Sequence, residues 1–378
     1  MGYYMASVFR DSPETLLTVA TQYLPLDVCP LMQLTGLDSR QGALNDWLAT
    51  RTSFGFDLAT LAPASSDASF RRYFRLNSNR HGSLVVMDAP PDKEDCRPFI
   101  KLAAALEQAG VSAPRVLDQD LSLGFIVLTD LGDTTYLKAF EDADALQLGR
   151  LMNDAQDVIH RIQDKVDASA LAPYDEILLL REMQLFPDWY LSQHCNLALS
   201  DADKNMLDTL FKTLSKSSLG QTQLAVHRDY HCRNLMVLDS TQMDGNPGVL
   251  DFQDAVSGAI TYDLVSLLRD AYVEWPEQQV LDWTVRFWER GRRRGIELPQ
   301  DFADFWQAFE LMGLQRHLKV LGIFARLSHR DGKHGYLADL PLVEKYVRAV
   351  AARYRLAAPL MRLLDRAAKQ QPVTGYTF

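Results

Sequence analysis

The stretch that most constrains this chain is His227-Arg228-Asp229-Tyr230-His231-Cys232-Arg233-Asn234, entered from the apolar run Leu224-Ala225-Val226. About twenty residues on, a second apolar run, Val249-Leu250, ends in Asp251. An Asn five positions after an Asp, then a second Asp behind an apolar run, is the set that phosphoryl transfer from ATP needs. One carboxylate sits beside the accepting hydroxyl. An amide oxygen and a second carboxylate hold Mg²⁺ on the phosphates. The bland alternative is a solvated loop in which Asp229 and Asn234 make only turn hydrogen bonds. The combined spacing H-R-D-x-x-x-x-N plus the later Asp argues against it.

On this reading Asp229 is the general base, or the group that orients the accepting hydroxyl. Asn234 and Asp251 are the Mg²⁺ ligands, both hard oxygen donors. His231, two residues past the base, either touches the transferring phosphate or is a loop histidine bonded to backbone. His227 is expected to brace the loop from beneath. Cys232 is expected to be an inert loop thiol, since no acyl-transfer machinery surrounds it. Asp263, in Thr261-Tyr262-Asp263-Leu264, is expected to cap or anchor the following helix by accepting backbone N–H groups.

A chain of 378 residues is long enough for two lobes, each with a core. A formal charge of −10 argues against nucleic acid or an anionic membrane surface as the main partner. The run Arg290-Gly291-Arg292-Arg293-Arg294 reads as a charge cluster at a helix C-terminus. Four scattered cysteines with no C-x-x-C pair exclude a zinc ribbon or a disulfide scaffold and fit reduced thiols in a cytoplasm. No apolar run approaches a membrane span, and the N-terminus lacks the pattern of a secretory signal.

Taken in order, residues 1–37 match nothing that follows. They are expected to be a peripheral, poorly ordered extension, or upstream sequence included by a misplaced start codon. A helix is expected from Asp38 through Leu48, then strands over 56–62, 70–76, 83–87, 114–117 and 124–128. A turn falls at Ser65–Ser69, and one helix, Pro98 to Gly110, lies between the third and fourth strands. This makes 38–129 a small lobe. Thr129, Asp130 and Leu131 fall at a hinge, and 130–378 forms a large, mainly helical lobe. Its expected helices include the stripe Leu148 to Ile162, then 280–290, 302–327 and 342–364. No internal repeat interrupts it.

Val226-His227-Arg228-Asp229 through Asn234, Leu250-Asp251-Phe252 and Gly258…Tyr262-Asp263-Leu264 resemble the aminoglycoside/choline-type phosphotransferase superfamily. The resemblance implies an α+β, bilobal protein-kinase-like fold over roughly residues 40–340, with a five-stranded antiparallel small lobe. Further stretches narrow it: Ser66-Asp67-Ala68-Ser69-Phe70-Arg71-Arg72-Tyr73-Phe74-Arg75, Met87-Asp88-Ala89-Pro90-Pro91, Ser266-Leu267-Leu268-Arg269-Asp270, and Gly313 to Phe324. Together they resemble the anomeric N-acetylmuramate/N-acetylglucosamine kinases of bacterial cell-wall recycling. What this implies is ATP and Mg²⁺ as cofactors, a C1 hydroxyl of an amino sugar as acceptor, and a sugar-1-phosphate product feeding UDP-sugar synthesis. A monomer is expected.

Two departures from the kinase pattern stand out. The loop Ser65–Ser69 has no glycine, so Ser66 and its neighbours must supply any phosphate-cradling turn. The third strand offers Met87 where a kinase places the phosphate-gripping Lys, and the helix after it lacks the partner Glu. Arg72 or Arg75 is therefore expected to supply the cation, only one strand face pointing inward.

For the sugar, Asp254 and Arg269 are the first choices, with Asp270 and Arg316 beside them, because a lactyl carboxylate favours an Arg. An antibiotic kinase of the same fold would line its acceptor cleft with carboxylates. The late basic residues Arg316, His317, Lys319, Arg326, His329 and Arg330 favour a neutral or anionic acceptor instead. A non-catalytic nucleotide-binding module is the third reading, motivated by the absent lysine.

Overall fold

Residues 31–66, 70–238 and 245–370 are described in the computed structural model, without the side chains of 31–38, 65, 66 and 370. Residues 1–30 of the expected extension and 67–69 of the expected serine turn lie outside them.

Helix α1 (Leu31–Ala49) leads into five antiparallel strands in the order β1-β2-β3-β5-β4. These are β1 (Phe56–Ser66), β2 (Arg72–Ser78), β3 (Gly82–Asp88), β4 (Val116–Asp120) and β5 (Phe125–Thr129). Helix α2 (Arg97–Gln108) joins β3 to β4. The alternation of strand residues sorts the sheet into two faces. Phe74, Leu76, Leu84, Val86, Phe125 and Val127 point outward and are covered by Leu44, Trp47 and Leu48 of α1. Met87, Ile126 and Leu128 point inward, where Phe99, Leu102 and Leu106 of α2 join them in the main core. The helix expected from Asp38 thus closes the back of the sheet, and it begins earlier, at Leu31.

Past Thr129 the chain is mostly helical. Helix α3 (Tyr136–Asp142) precedes α4 (Ala145–Lys165), which starts at an Asp144/Gln147 capping box and buries Met152, Ala155, Val158, Ile159 and Ile162. Strand β6 (Ala172–Pro173), helices α5 (Glu176–Met183) and α6 (Asp201–Leu219), and strand β7 (Gln223–Val226) follow. Short strands β8 (Leu235–Met236) and β9 (Gly248–Val249) pair with each other, and β10 (Val256–Ala259) lies between β6 and β7. Helices α7 (Tyr262–Leu268), α8 (Glu277–Arg293), α9 (Phe302–His329), α10 (Leu340–Arg353) and α11 (Ala358–Gln370) complete the lobe.

The single helix expected over 342–364 is two helices. Tyr354 is extended (φ −110°, ψ 120°), and Pro359 falls in the first turn of α11. A proline there has no N–H for the carbonyl one turn back, and its ring would strike that carbonyl. The break therefore precedes it.

Helix α9 is the spine of the lobe, buried on all sides from Phe309 to Leu321. It packs against the segment before Phe186 so closely that a Cβ on Gly322 would lie 2.4 Å from the Leu185 carbonyl carbon. Replacing a mid-helix glycine by alanine ordinarily gains about 1 kcal/mol. Here a backbone clash opposes that gain. Gly322→Ala should destabilise the protein by about 1–3 kcal/mol, read as a lower urea midpoint with unchanged slope.

Candidate active site

The loop after β7 is set by one buried carboxylate. Asp263 of α7 accepts hydrogen bonds from the backbone N–H of His227 (2.7 Å) and of Arg228 (3.0 Å). The sequence reading had Asp263 anchoring its own helix. It accepts backbone N–H groups as expected, but they belong to the loop across from it. These bonds hold Arg228 at φ +77°, a left-handed conformation costly for a residue with a Cβ.

His227 braces the loop as expected. Its Nδ1 accepts from the Asp229 N–H (3.2 Å), so Nε2 carries the proton and donates to the Leu250 carbonyl (2.9 Å). The ring thereby joins the loop to the strand end that bears Asp251. The pairing of Leu235 with Val249 brings Asn234 to the same place, and Leu250 N–H donates to the Asn234 carbonyl (2.9 Å). Asn234 Nδ2 donates to the Asp229 carbonyl (3.0 Å) and lies 3.4 Å from Asp251 Oδ2. With Nδ2 taken up by these two acceptors, Oδ1 is left as the acceptor atom of the amide. Asp251 is itself left-handed (φ +60°), and its Oδ1 accepts from Gln253 (2.7 Å). Asp229, Asn234 and Asp251 therefore meet in one place, and an amide oxygen beside a carboxylate fits a hard divalent cation.

The charges around Asp229 come from α9 and α5. Burial pushes its carboxyl up, but Lys319 above all, with Arg316, outweighs this and holds it below the usual carboxylate value. Lys319 lies 3.3 Å from Glu182, and Glu182 also pairs with Arg228 and accepts from the Tyr174 hydroxyl. Burial pulls the Lys319 ammonium down, while Tyr262 and Glu182 more than restore it. His231 is pushed down to about 3 by burial, with Arg316 adding to the effect against the pull of Asp229. It is a neutral imidazole at pH 7, stacked edge-on to Tyr272, and its Nδ1 is buried without a hydrogen-bond partner among the described residues. The Cys232 thiol is pushed up chiefly by burial, as an inert thiol should be.

A cavity of about 410 Å³ lies between the sheet and this loop. Val85 and Leu128 form its roof, Met236 and Leu250 its floor, and Asn234 and Asp251 its deep end. Thr129, Asp130 and Leu131 line its edge, as the hinge reading expects. Asp130 is held tightly: Arg75 meets it in fork geometry (2.6 and 2.9 Å), and the Ser83 hydroxyl adds 2.5 Å. Arg75 reaches the cavity at this hinge end. Arg72 does not line it. As an even-numbered residue of β2 it faces outward, lies over Phe74, and pairs with Asp88, which Arg40 of α1 also engages. The expectation that Arg72 grips phosphate is thereby overturned by strand parity. Ser66 pairs in register with Arg72 at the end of β1, and its side chain is outside the described set. Met87 is packed into the core with Phe99.

With this geometry in hand, comparison with known proteins is decisive. A profile described as the phosphotransferase enzyme family matches residues 60–298. An N-acetylmuramate/N-acetylglucosamine kinase of Pseudomonas aeruginosa is 49% identical over 307 residues, 81% of this chain and 88% of that protein. One of Neisseria meningitidis is 42% identical over 343 residues, 90% of this chain and 99% of the relative. The chain belongs to the phosphotransferase enzyme family, among the N-acetylmuramate/N-acetylglucosamine kinases. The fold is shared with solved structures at low identity. An ADP-bound aminoglycoside phosphotransferase, APH(2'')-Ib, aligns with a TM-score of 0.53 at 15% identity, covering 80% of this chain and 97% of the other. An ethanolamine kinase of Plasmodium vivax gives 0.56 at 6%, covering 76% and 82%. The α+β bilobal kinase-like architecture read from the sequence is the observed one.

In this phosphotransferase the acceptor-side choices divide. Arg269 is not at the site. It is buried against Glu310 (3.4 Å), which also pairs with Arg353, and it packs over Trp306 and Phe309. That contact spans 41 residues of chain and leaves no sequence signal. Asp254 is exposed near the loop, its carbonyl 3.3 Å from Arg228 and its carboxylate 3.4 Å from Gln253. Asp270 turns Oδ1 to the Tyr272 and Val273 N–H groups and leaves Oδ2 buried without a hydrogen-bond partner among the described residues. Arg316 is 5% exposed and makes no hydrogen bond or ion pair among the described residues, yet its charge acts on Asp229, His231 and Asp270. Sequence reasoning missed the Glu182 network, because residue 182 lies in a different helix far from the motif.

The depressed Asp229 sets a pH expectation. A carboxyl below its ordinary value of about 3.9 stays ionised as pH falls. The acid limb of kcat/KM should therefore lie below that value. Lys319→Met removes the first cation that depresses it, so the limb should move to higher pH, measured as a pH–rate profile of mutant against wild type.

Proposed function

We propose that this protein transfers the γ-phosphoryl group of ATP to the anomeric C1 hydroxyl of N-acetylmuramate, N-acetylglucosamine or both. The observation that carries the reading is that Asn234 and Asp251 line one cavity while Asn234 also bonds the Asp229 carbonyl, so the three residues share one corner of the fold. The curated relatives, by the names they carry, indicate the acceptor class. The ADP-bound structural neighbour is consistent with a nucleotide in this cavity.

The base of an adenosine fits between Val85 and Leu128 above and Met236 and Leu250 below, its edge against the Thr129–Leu131 backbone. Asn234 Oδ1 and the Asp251 carboxylate would hold Mg²⁺, which when bound neutralises charge on the phosphates. Asp229 orients the incoming hydroxyl and takes its proton. Held below the usual carboxylate value, it is a weak base and accepts the proton late. An anomeric hydroxyl, more acidic than an ordinary alcohol, suits it. A loose transition state asks mainly for alignment and charge stabilisation. His231, neutral, stands beside Asp229 as a hydrogen-bonding group rather than a cation. Transfer is in line, with no phosphoenzyme.

On the acceptor side, Arg316 and Asp270 are preferred to Arg269. Arg316 is a buried cation that makes no ion pair among the described residues, and a lactyl carboxylate would supply one. Of the other late basic residues, Lys319 is taken by Glu182, His317 by the Arg269 carbonyl and Arg330 by Asp331. An unpaired Arg disfavours a polycationic antibiotic, so the aminoglycoside reading ranks second. The working form is proposed to be a cytoplasmic monomer. No helix among the described residues is long and apolar enough to cross a membrane.

Two measurements test this. Coupled ATP-turnover assays with N-acetylmuramate, N-acetylglucosamine, choline and kanamycin should show turnover with the first two alone. Turnover with kanamycin or choline and not with the sugars refutes the assignment. Arg316→Met should raise KM for N-acetylmuramate tenfold or more, as expected for a charge-assisted contact of about 1.5–3 kcal/mol, while KM for N-acetylglucosamine changes less than threefold.

A further inference from the structure

A kinase-like cleft without the strand lysine lacks its grip on the phosphates. The structure offers a replacement. Tyr73, Arg75 and Val85 line the cavity, so odd-numbered residues of β2 face inward. Arg71, the residue before β2, falls two positions before Tyr73 and lies just outside the cavity lining. It stands at the end of β2 away from the hinge, on the far side of the Tyr73–Met87 pair. Its Nη2 lies 3.1 Å from Glu94, and both side chains are largely buried, 12% and 15% exposed. Glu94 comes just before α2, the helix whose Phe99 lines the same cavity.

We propose that Arg71, braced by Glu94, is the small-lobe cation that holds the β- and γ-phosphates of the nucleotide. The proposal rests on reading the cavity as the nucleotide site and goes beyond it by naming the residue. A buried cation paired to a carboxylate from the helix region is the same physical device as the usual lysine–glutamate pair, moved one strand over. Met87, buried in the main core, occupies the usual position of the lysine and brings no charge there. The two other small-lobe candidates are committed elsewhere: Arg72 on the outer face to Asp88, Arg75 at the hinge to Asp130. A guanidinium has five N–H donors in a planar fork and suits phosphate oxygens. Burial would pull the Arg71 charge down, but Tyr73 and Glu94 hold it firmly positive. An ion pair this secluded is costly to keep for stability alone.

The test is calorimetric binding of ADP and of adenosine, with steady-state kinetics beside it. Arg71→Met should weaken ADP binding tenfold or more and leave adenosine within twofold. KM for ATP should rise in parallel, with KM for the amino sugar unchanged. Arg71→Lys should recover part of the loss, and Arg72→Met should bind ADP as wild type does. Equal weakening of ADP and adenosine, or no change in either, overturns the proposal. Should Arg71→Met fail to fold, Arg71→Lys and Glu94→Gln decide: ADP affinity unchanged relative to adenosine in both overturns it as well. Binding needs no acceptor, so a chain inactive on amino sugars would sink the sugar assignment while leaving this result readable.

Discussion

The site depends on a carboxylate that touches no substrate. Asp263 sits in the core, and burial pushes its carboxyl up, yet it keeps two backbone donors of the loop within hydrogen-bond distance. Those bonds compensate the left-handed turn at Arg228 and decide where the next residue, Asp229, begins. From there the order propagates by contact. His227 ties Asp229 N–H to the Leu250 carbonyl, and Asn234 ties the Asp229 carbonyl to the Asp251 side chain. Tyr230, between them, anchors the loop to α4 through the Ala155 carbonyl. A chain of short polar contacts, each buried, leaves the loop little freedom to wander. Preorganisation of this kind matters for a reaction whose barrier is lowered mainly by placement.

Charge is arranged with the same economy. Surface pairs such as Lys204–Asp201 contribute little. The network of Glu182 with Arg228 and Lys319 is different, being mostly buried and held by Tyr174 and Tyr262 hydroxyls. A cation–carboxylate–cation triad carries one net positive charge, and Asp229 lies within its field. Asp229 thus remains an anion although it is out of water. Breaking the triad at Glu182 would leave two buried cations, so its effect would reach both stability and the base.

Much of this was legible in the sequence because the information was local. The spacing of Asp229, Asn234 and Asp251 implied a shared site, and period-two and period-3.6 patterns implied the five strands and the helix between them. The outward aim of Arg72 was also within reach, since parity with Phe74 places it on the face that α1 covers. What stayed hidden were pairings between distant elements. Arg269 next to Asp270 looked like a sugar ligand, but Glu310 on another helix claims it. Asp263 near the start of α7 looked like a cap, but its acceptors' partners lie 36 and 35 residues earlier. The break before Pro359 was written in the sequence, in the proline itself, although one helix was expected over 342–364.

The hinge shows how the two lobes are coupled. Asp130 belongs to the sheet through Arg75 and Ser83, while Leu131, the next residue, packs with Met236 and Leu238 beside β8. The chain then continues as part of the large lobe: Val237 N–H donates to the Thr134 carbonyl, and Thr135 pairs with Met236. Adjacent residues are thus fixed to opposite lobes. Strand β8 also begins next to Asn234. A base seated against Thr129–Leu131 therefore presses on the same strand that positions the metal-side amide. Binding at the cavity mouth and alignment at its deep end share one rigid element, so the nucleotide's fit at the hinge bears directly on the geometry of transfer.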